Sequence, residues 1–70
     1  MNEAAILAWV DTHPETREVD LVDQERSQVR QAAVINTLAR LYRDGVLKRE
    51  KSVVNGERVT LVSRVSGGGD

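Results

Sequence analysis

The chain has 70 residues, 40% hydrophobic and 30% charged, with ten Lys and Arg against eleven Asp and Glu and a formal net charge of −1 at pH 7. This length supports one small domain, whose core supplies only about 3–5 kcal/mol, and the composition excludes a chain too polar to fold. With no cysteine and a single histidine, His13, neither a disulfide framework nor a thiolate or multi-histidine metal site is available, so no metal and no cofactor is expected.

Taken in chain order, Asn2 is placed to cap a first helix and Glu3 to sit at its positive end. Ile6, Leu7 and Val10 recur at helical spacing until His13-Pro14 stops the run, predicting a helix from about Glu3 to Asp11. The residue before a proline is pushed out of the helical region, which makes His13 a boundary residue rather than a catalytic one. Trp9, on the same helix, reads as core packing, with a dimer contact as its sharper alternative. The apolar stretch Ala4 to Val10 is too short to cross a bilayer and carries no leader signal. A soluble, cytoplasmic protein of a prokaryotic cell or a virus-infected host cell is therefore expected, with no membrane partner.

Arg17-Glu18-Val19 reads as a short extended piece. Asp20 is then the expected N-cap of a short second helix, about Leu21 to Arg26, with Asp23 supporting its first turn. The third helix is the strongest signal. Val34, Leu38 and Leu41 form one stripe, flanked by Ile35 and Tyr42, and Asp44-Gly45 ends the run, giving about Gln28 to Asp44. At about 100° per residue from Val34, the opposite face collects Ala32, Asn36, Arg40 and Arg43, edged by Ala33 and Ala39. Two β-rich runs follow, Val46 to Val54 and Glu57 to Val65, joined by Asn55-Gly56, the strongest short-range hairpin signal. Residues 1–65 are read as the domain and Ser66 to Asp70 as a flexible glycine-rich tail.

A two-residue turn fixes the pairs Val53 with Arg58, Lys51 with Thr60, Arg49 with Val62 and Leu47 with Arg64, all on one face. The other face carries Val46, Val59, Leu61 and Val65 with Lys48, Glu50 and Ser52, and is expected to be the core side.

The small net charge conceals a division. Residues 1–25 hold seven acids (Glu3, Asp11, Glu15, Glu18, Asp20, Asp23, Glu25) and one base, Arg17, whereas residues 26–65 hold nine bases and three acids. Because screening acts over roughly 10 Å, one basic face attracts a polyanion whatever the total. The basic part is Arg26, Arg30, Arg40, Arg43, Lys48, Arg49, Lys51, Arg58 and Arg64.

The run Val29, Val34, Leu38, Leu41, Gly45 and Val46-Leu47, followed by the Asn-Gly hairpin, resembles the winged helix-turn-helix family over roughly residues 20–65. The chain departs from the family pattern in having Ser27-Gln28 where the inter-helix turn usually has a glycine, and Arg30 where a capping Ser, Thr or Asn is common. Ser27 is therefore the expected cap of a longer third helix. The resemblance implies an α+β fold: a three-helix winged helix-turn-helix with a C-terminal β-hairpin wing. It further implies a partner, double-stranded DNA, with the third helix in the major groove and the wing along the backbone.

On that expectation the residues divide into base readers and phosphate contacts. Asn36 is the best candidate base reader, since its amide matches N7 and N6 of adenine. Ala32 and Ala33 permit close approach and suit a thymine methyl, while Gln31 and Thr37 offer polar groups near the same end. Arg30 reaches either guanine or phosphate. Arg40, Arg43, Lys48, Arg49, Lys51 and Arg58 are expected on phosphates, and Arg64 at the wing's base less directly. Taken singly, an exposed Asn or Ala is ordinary helix surface, and Arg40 has Asp44 four residues on as an ion-pair partner.

No nucleophile motif, phosphate-cradling glycine loop or Cys/His pair is present, so an enzyme is not expected. The expected function is sequence-specific DNA binding by a small transcriptional regulator, of viral, plasmid or prokaryotic origin, acting as a homodimer on a roughly palindromic site. Two rivals stand beside it. One is a protein-interaction module that uses the acidic first quarter, and the other is an architectural or recombination-directionality factor that bends DNA.

Overall fold

The computed structural model describes residues 1–65; the expected tail, Ser66 to Asp70, lies outside them. Three helices, α1 (Glu3–Thr12), α2 (Glu18–Asp23) and α3 (Gln28–Arg43), precede an antiparallel hairpin of β1 (Leu47–Val54) and β2 (Glu57–Arg64). The layout is α+β, that of a three-helix winged helix with its hairpin at the C-terminal end.

Each boundary has a local cause. The Asn2 side chain accepts from the Ala5 amide at 2.8 Å and so starts α1. Its end at His13 is reinforced by the ring, which stacks on Trp9 with centroids 3.8 Å apart and planes 8° from parallel. Trp9 is half-buried against the core, and His13 is a helix-end residue as its place before Pro14 requires. Ser27 caps α3 by accepting from the Arg30 amide at 3.1 Å, as the sequence implies. Gly45, at φ +78°, reverses the chain after α3, a backbone conformation that L side chains adopt only at a cost. Asn55 and Gly56, at φ +53° and +81°, form the tight hairpin turn.

The second helix lies about three residues earlier than the sequence pattern suggests. Asp20 belongs to its first turn rather than capping it, and Arg17, whose side chain makes no capping bond, occupies the cap position. The cause is tertiary. The Thr16 carbonyl accepts from the Val62 amide at 2.8 Å and Arg17 bridges Leu61, so the extended piece is confined to the residues just before α2 and joins the free edge of β2. The interval Gln24 to Ser27 is then the turn between α2 and α3. Without a glycine, it is held by the Gln31 amide, which donates to the Glu25 carbonyl at 3.1 Å.

The core consists of Ile6 and Val10 from α1, Leu21 from α2, Val34, Leu38 and Leu41 from α3, Leu47 from β1 and Val62 from β2. The hairpin register agrees with the two-residue turn throughout, from Leu47 opposite Arg64 to Val54 opposite Glu57. The core face is the reverse of the one expected. Leu47 and Val62 are buried, whereas Val46, Val59 and Leu61 are only half-buried and Val65 is exposed. Only Leu47 and Val62, at the base of the hairpin, are buried in the core, so two residues decide which face is inside and the charges farther along that face lie beyond the core. Val29, part of the family-like pattern, is exposed as well.

Leu38, at the centre of α3, is 1% exposed. Truncating such a side chain costs about 2–5 kcal/mol, comparable to the whole stability of a domain this small. Leu38→Ala should therefore leave the chain largely unfolded at ambient temperature by far-ultraviolet circular dichroism. Ser27→Ala, which removes one cap, should cost about 1 kcal/mol in denaturant titration and keep the fold.

Candidate nucleic-acid interface

Along α3, residues spaced by three, four and seven positions share a face. The outward stripe is Val29, Ala32, Ala33, Asn36, Arg40 and Arg43, all exposed. It grades from apolar near the N-terminal end, through an amide, to basic at the C-terminal end. The whole helix contains three arginines and no acid.

Three of the sequence-predicted residues carry internal work. Gln31 pins the inter-helix turn, and the Thr37 hydroxyl donates to the Ala33 carbonyl at 2.9 Å. Arg40 donates to the Glu3 carboxylate at 2.7 Å, not to Asp44, and the pairing raises its pKa further above the ordinary arginine value. Asp44 instead lies 3.5 Å from the Arg43 guanidinium. Arg30, Ala32, Ala33 and Asn36 remain open to solvent.

The hairpin sorts its bases by alternation. The face that sends Leu47 and Val62 into the core carries Arg49, Lys51 and Arg58 outward toward the turn, where all three are exposed. Lys48 alternates onto the opposite face with Glu50, so it does not join them. At the base of the basic face, Arg64 is held by Asp11 through two hydrogen bonds, of 3.0 and 3.1 Å. Arg17, on the neighbouring edge, lies 3.6 Å from Glu57. Among the described residues, Arg26, Arg30, Lys48, Arg49, Lys51 and Arg58 form no ion pair within the chain.

Where the basic face of the wing meets α3, the Arg49 guanidinium sits 4.8 Å from the centre of the Tyr42 ring, within cation–π range. Tyr42 in turn donates to the Glu18 carboxylate at 2.7 Å. These residues border a groove of about 690 Å³ between α2, α3 and β1. Its apolar lining includes the exposed Val19 and Ile35, with Glu18 and Asp23 on the α2 wall and Arg43 and Arg49 opposite. The groove leaves a single mark in the sequence, the apolar Ile35 and Tyr42 that flank the core stripe of α3.

Among the described residues no helix is long and apolar enough to cross a membrane, and no group of three or more His, Cys, Asp or Glu could hold a metal ion. In comparisons with known proteins, no family model, no curated protein and no solved structure matches this chain.

Tyr42 is the one tyrosine of the chain, so its titration reports the α2–α3–wing junction without ambiguity. Burial first, and then the hydrogen bond to Glu18, hold its pKa well above the ordinary tyrosine value. Spectrophotometric titration should show no phenolate near pH 10, where a free tyrosine is half ionised. Glu18→Gln should lower the midpoint while leaving it elevated, because burial is the larger cause. Above about pH 10 the unfolded chain loses this proton while the folded chain retains it, so stability should fall as pH rises through that range.

Proposed function

We propose that this chain is a small sequence-specific double-stranded DNA-binding protein, acting as a transcriptional regulator. Helix α3 enters the major groove and the hairpin wing lies on flanking phosphates. The observation that carries the reading is the distribution of unpaired positive charge. Arg17, Arg40 and Arg64 are tied back by carboxylates, whereas Arg49, Lys51 and Arg58 project together from one wing face beside an acid-free α3. Like charges so close together repel one another, and a phosphate backbone relieves that repulsion.

In this arrangement Asn36 reads adenine from the middle of the outward stripe, Arg30 reaches base or phosphate near the N-terminal end, and Arg43 meets phosphate where the helix leaves the groove. Arg40 contributes only once Glu3 releases it. Regulation follows from occupancy of a promoter, and a homodimer would read two half-sites.

A second reading, a protein-interaction module, is favoured by the groove that exposes Val19 and Ile35 beneath an acidic α2. It predicts that Ile35→Ser abolishes recovery of a protein partner, whereas the DNA reading predicts unchanged duplex affinity for that uncharged variant.

The test is fluorescence anisotropy with mixed-sequence duplex DNA at several salt concentrations. Micromolar affinity that falls steeply with salt is the expected result, because each neutralised phosphate releases counterions. Lys51→Ala should weaken all sequences alike and reduce the salt slope by about one, and Asn36→Ala should relax specificity at one position. Absence of binding at low salt would overturn the reading in favour of the protein-interaction module.

A further inference from the structure

Val29, the second residue of α3, is 81% exposed, more than any other large aliphatic side chain among the described residues. The core does not use it. A β-branched residue is also a poorer choice than Ala or Leu for the solvent face of a helix. Its place in the outward stripe gives it a use, because it lies seven residues before Asn36 and so on the same line of the helix.

We propose that Val29 is a specificity-determining residue that packs against the C5 methyl group of a thymine in the major groove of duplex DNA. The inference rests on the DNA-binding function proposed above and adds to it a base preference that none of the polar candidates provides.

Three observations converge on this ligand. The thymine methyl is the one apolar group that a base pair presents at its major-groove edge, and an exposed aliphatic side chain matches it. The stripe is apolar at the end where recognition helices approach base edges and basic where they depart toward the backbone, with Arg40 and Arg43 at the latter end. Finally, α3 holds no acid, and Arg30 flanks Val29 in sequence. That charge complements a polyanionic duplex, whereas a second apolar protein surface would leave it without a partner.

Spacing gives the proposal a register. Seven residues of helix advance about 10 Å, and base pairs rise about 3.4 Å along the duplex axis, with a longer path along the winding groove. The thymine read by Val29 is therefore within about three steps of the adenine read by Asn36.

The test begins with selection of a preferred duplex from a random pool by the full chain. Each thymine of that duplex is then replaced in turn by deoxyuridine, which removes only the methyl group, and binding is measured for the wild-type chain and for Val29→Ala. One replacement should weaken the wild-type complex about three- to fourfold, the value of one buried methyl, and should leave Val29→Ala unaffected at that position. Because Val29 is exposed, the variant should keep the native circular dichroism spectrum, and the wild-type series stands without it. Wild-type binding that is selective yet indifferent to every replacement would overturn the role of Val29 while leaving the DNA reading intact. So would a Val29→Ala variant that keeps the full penalty. Failure to bind any duplex at low salt would remove the DNA reading, and this inference with it.

Discussion

Everything in this small domain depends on burial of one stripe, Val34, Leu38 and Leu41, against residues from every other element. The three side chains are at most 1% exposed, and they share one buried cluster with Ile6 and Val10 from α1, Leu21 from α2, Leu47 from β1 and Val62 from β2. Because three of the eight core residues belong to α3, its rotation about its own axis is fixed by the core, and its outward stripe is fixed as a consequence. Gly45 then matters beyond its own turn. By reversing the chain directly after α3, it delivers Leu47 to the same core and sets the direction in which the wing departs. The basic residues of β1 and β2 therefore stand at a defined place beside α3, although they touch little of the core themselves.

The division of charge along the sequence acquires a spatial meaning from this arrangement. Acids of the first helix reach back to particular bases, Glu3 to Arg40 and Asp11 to Arg64, and Glu57 lies beside Arg17. Exposed pairs of this kind add little stability. Their larger effect is on the field, since each cancels a base near the body of the domain and leaves the wing bases uncompensated. Acidic residues on α2 act in the same sense. Glu18 and Asp23 line one wall of the groove, opposite Arg43 and Arg49, so a polyanion is repelled from the α2 side and attracted to the wing. On the proposed DNA-binding reading, this charge distribution favours approach along the outward stripe of α3 over approach across the groove.

Much of this fold was legible in the sequence wherever a local signal and the tertiary structure agreed. The limits of α1 and α3, the Asn2 and Ser27 caps, and the hairpin register all follow from residues close in sequence, and the core uses the stripe that periodicity identifies. Where long-range contacts decide, local reading failed. Helix α2 starts early because Thr16 and Arg17 are recruited to the edge of β2, a partner more than forty residues away in sequence that no capping pattern reveals. For the hairpin's inner face, the number of apolar residues along the whole strand favours Val46, Val59, Leu61 and Val65. Depth of insertion instead depends on the two residues nearest the helices, Leu47 and Val62. The candidate site shows the same limit. Exposure of Asn36, Ala32 and Ala33 was readable from helical phase, but the engagement of Arg40 by Glu3 was not, since it spans 37 positions and depends on how α1 crosses α3.

Arg40 also connects packing to function. Its partner Glu3 belongs to α1, and both side chains remain almost half exposed, so the pair is accessible to exchange rather than locked in the core. A phosphate approaching the outward stripe would compete with Glu3 for the guanidinium. Exchange at this point would give up one ion pair for another and add less affinity than engaging a base with no internal partner, such as Lys51 or Arg58. On the proposed reading, then, affinity is concentrated on the wing and sequence discrimination on the N-terminal two-thirds of α3. That separation is physically useful, because general attraction to phosphate can be strong without masking the small energetic differences by which individual base pairs are distinguished.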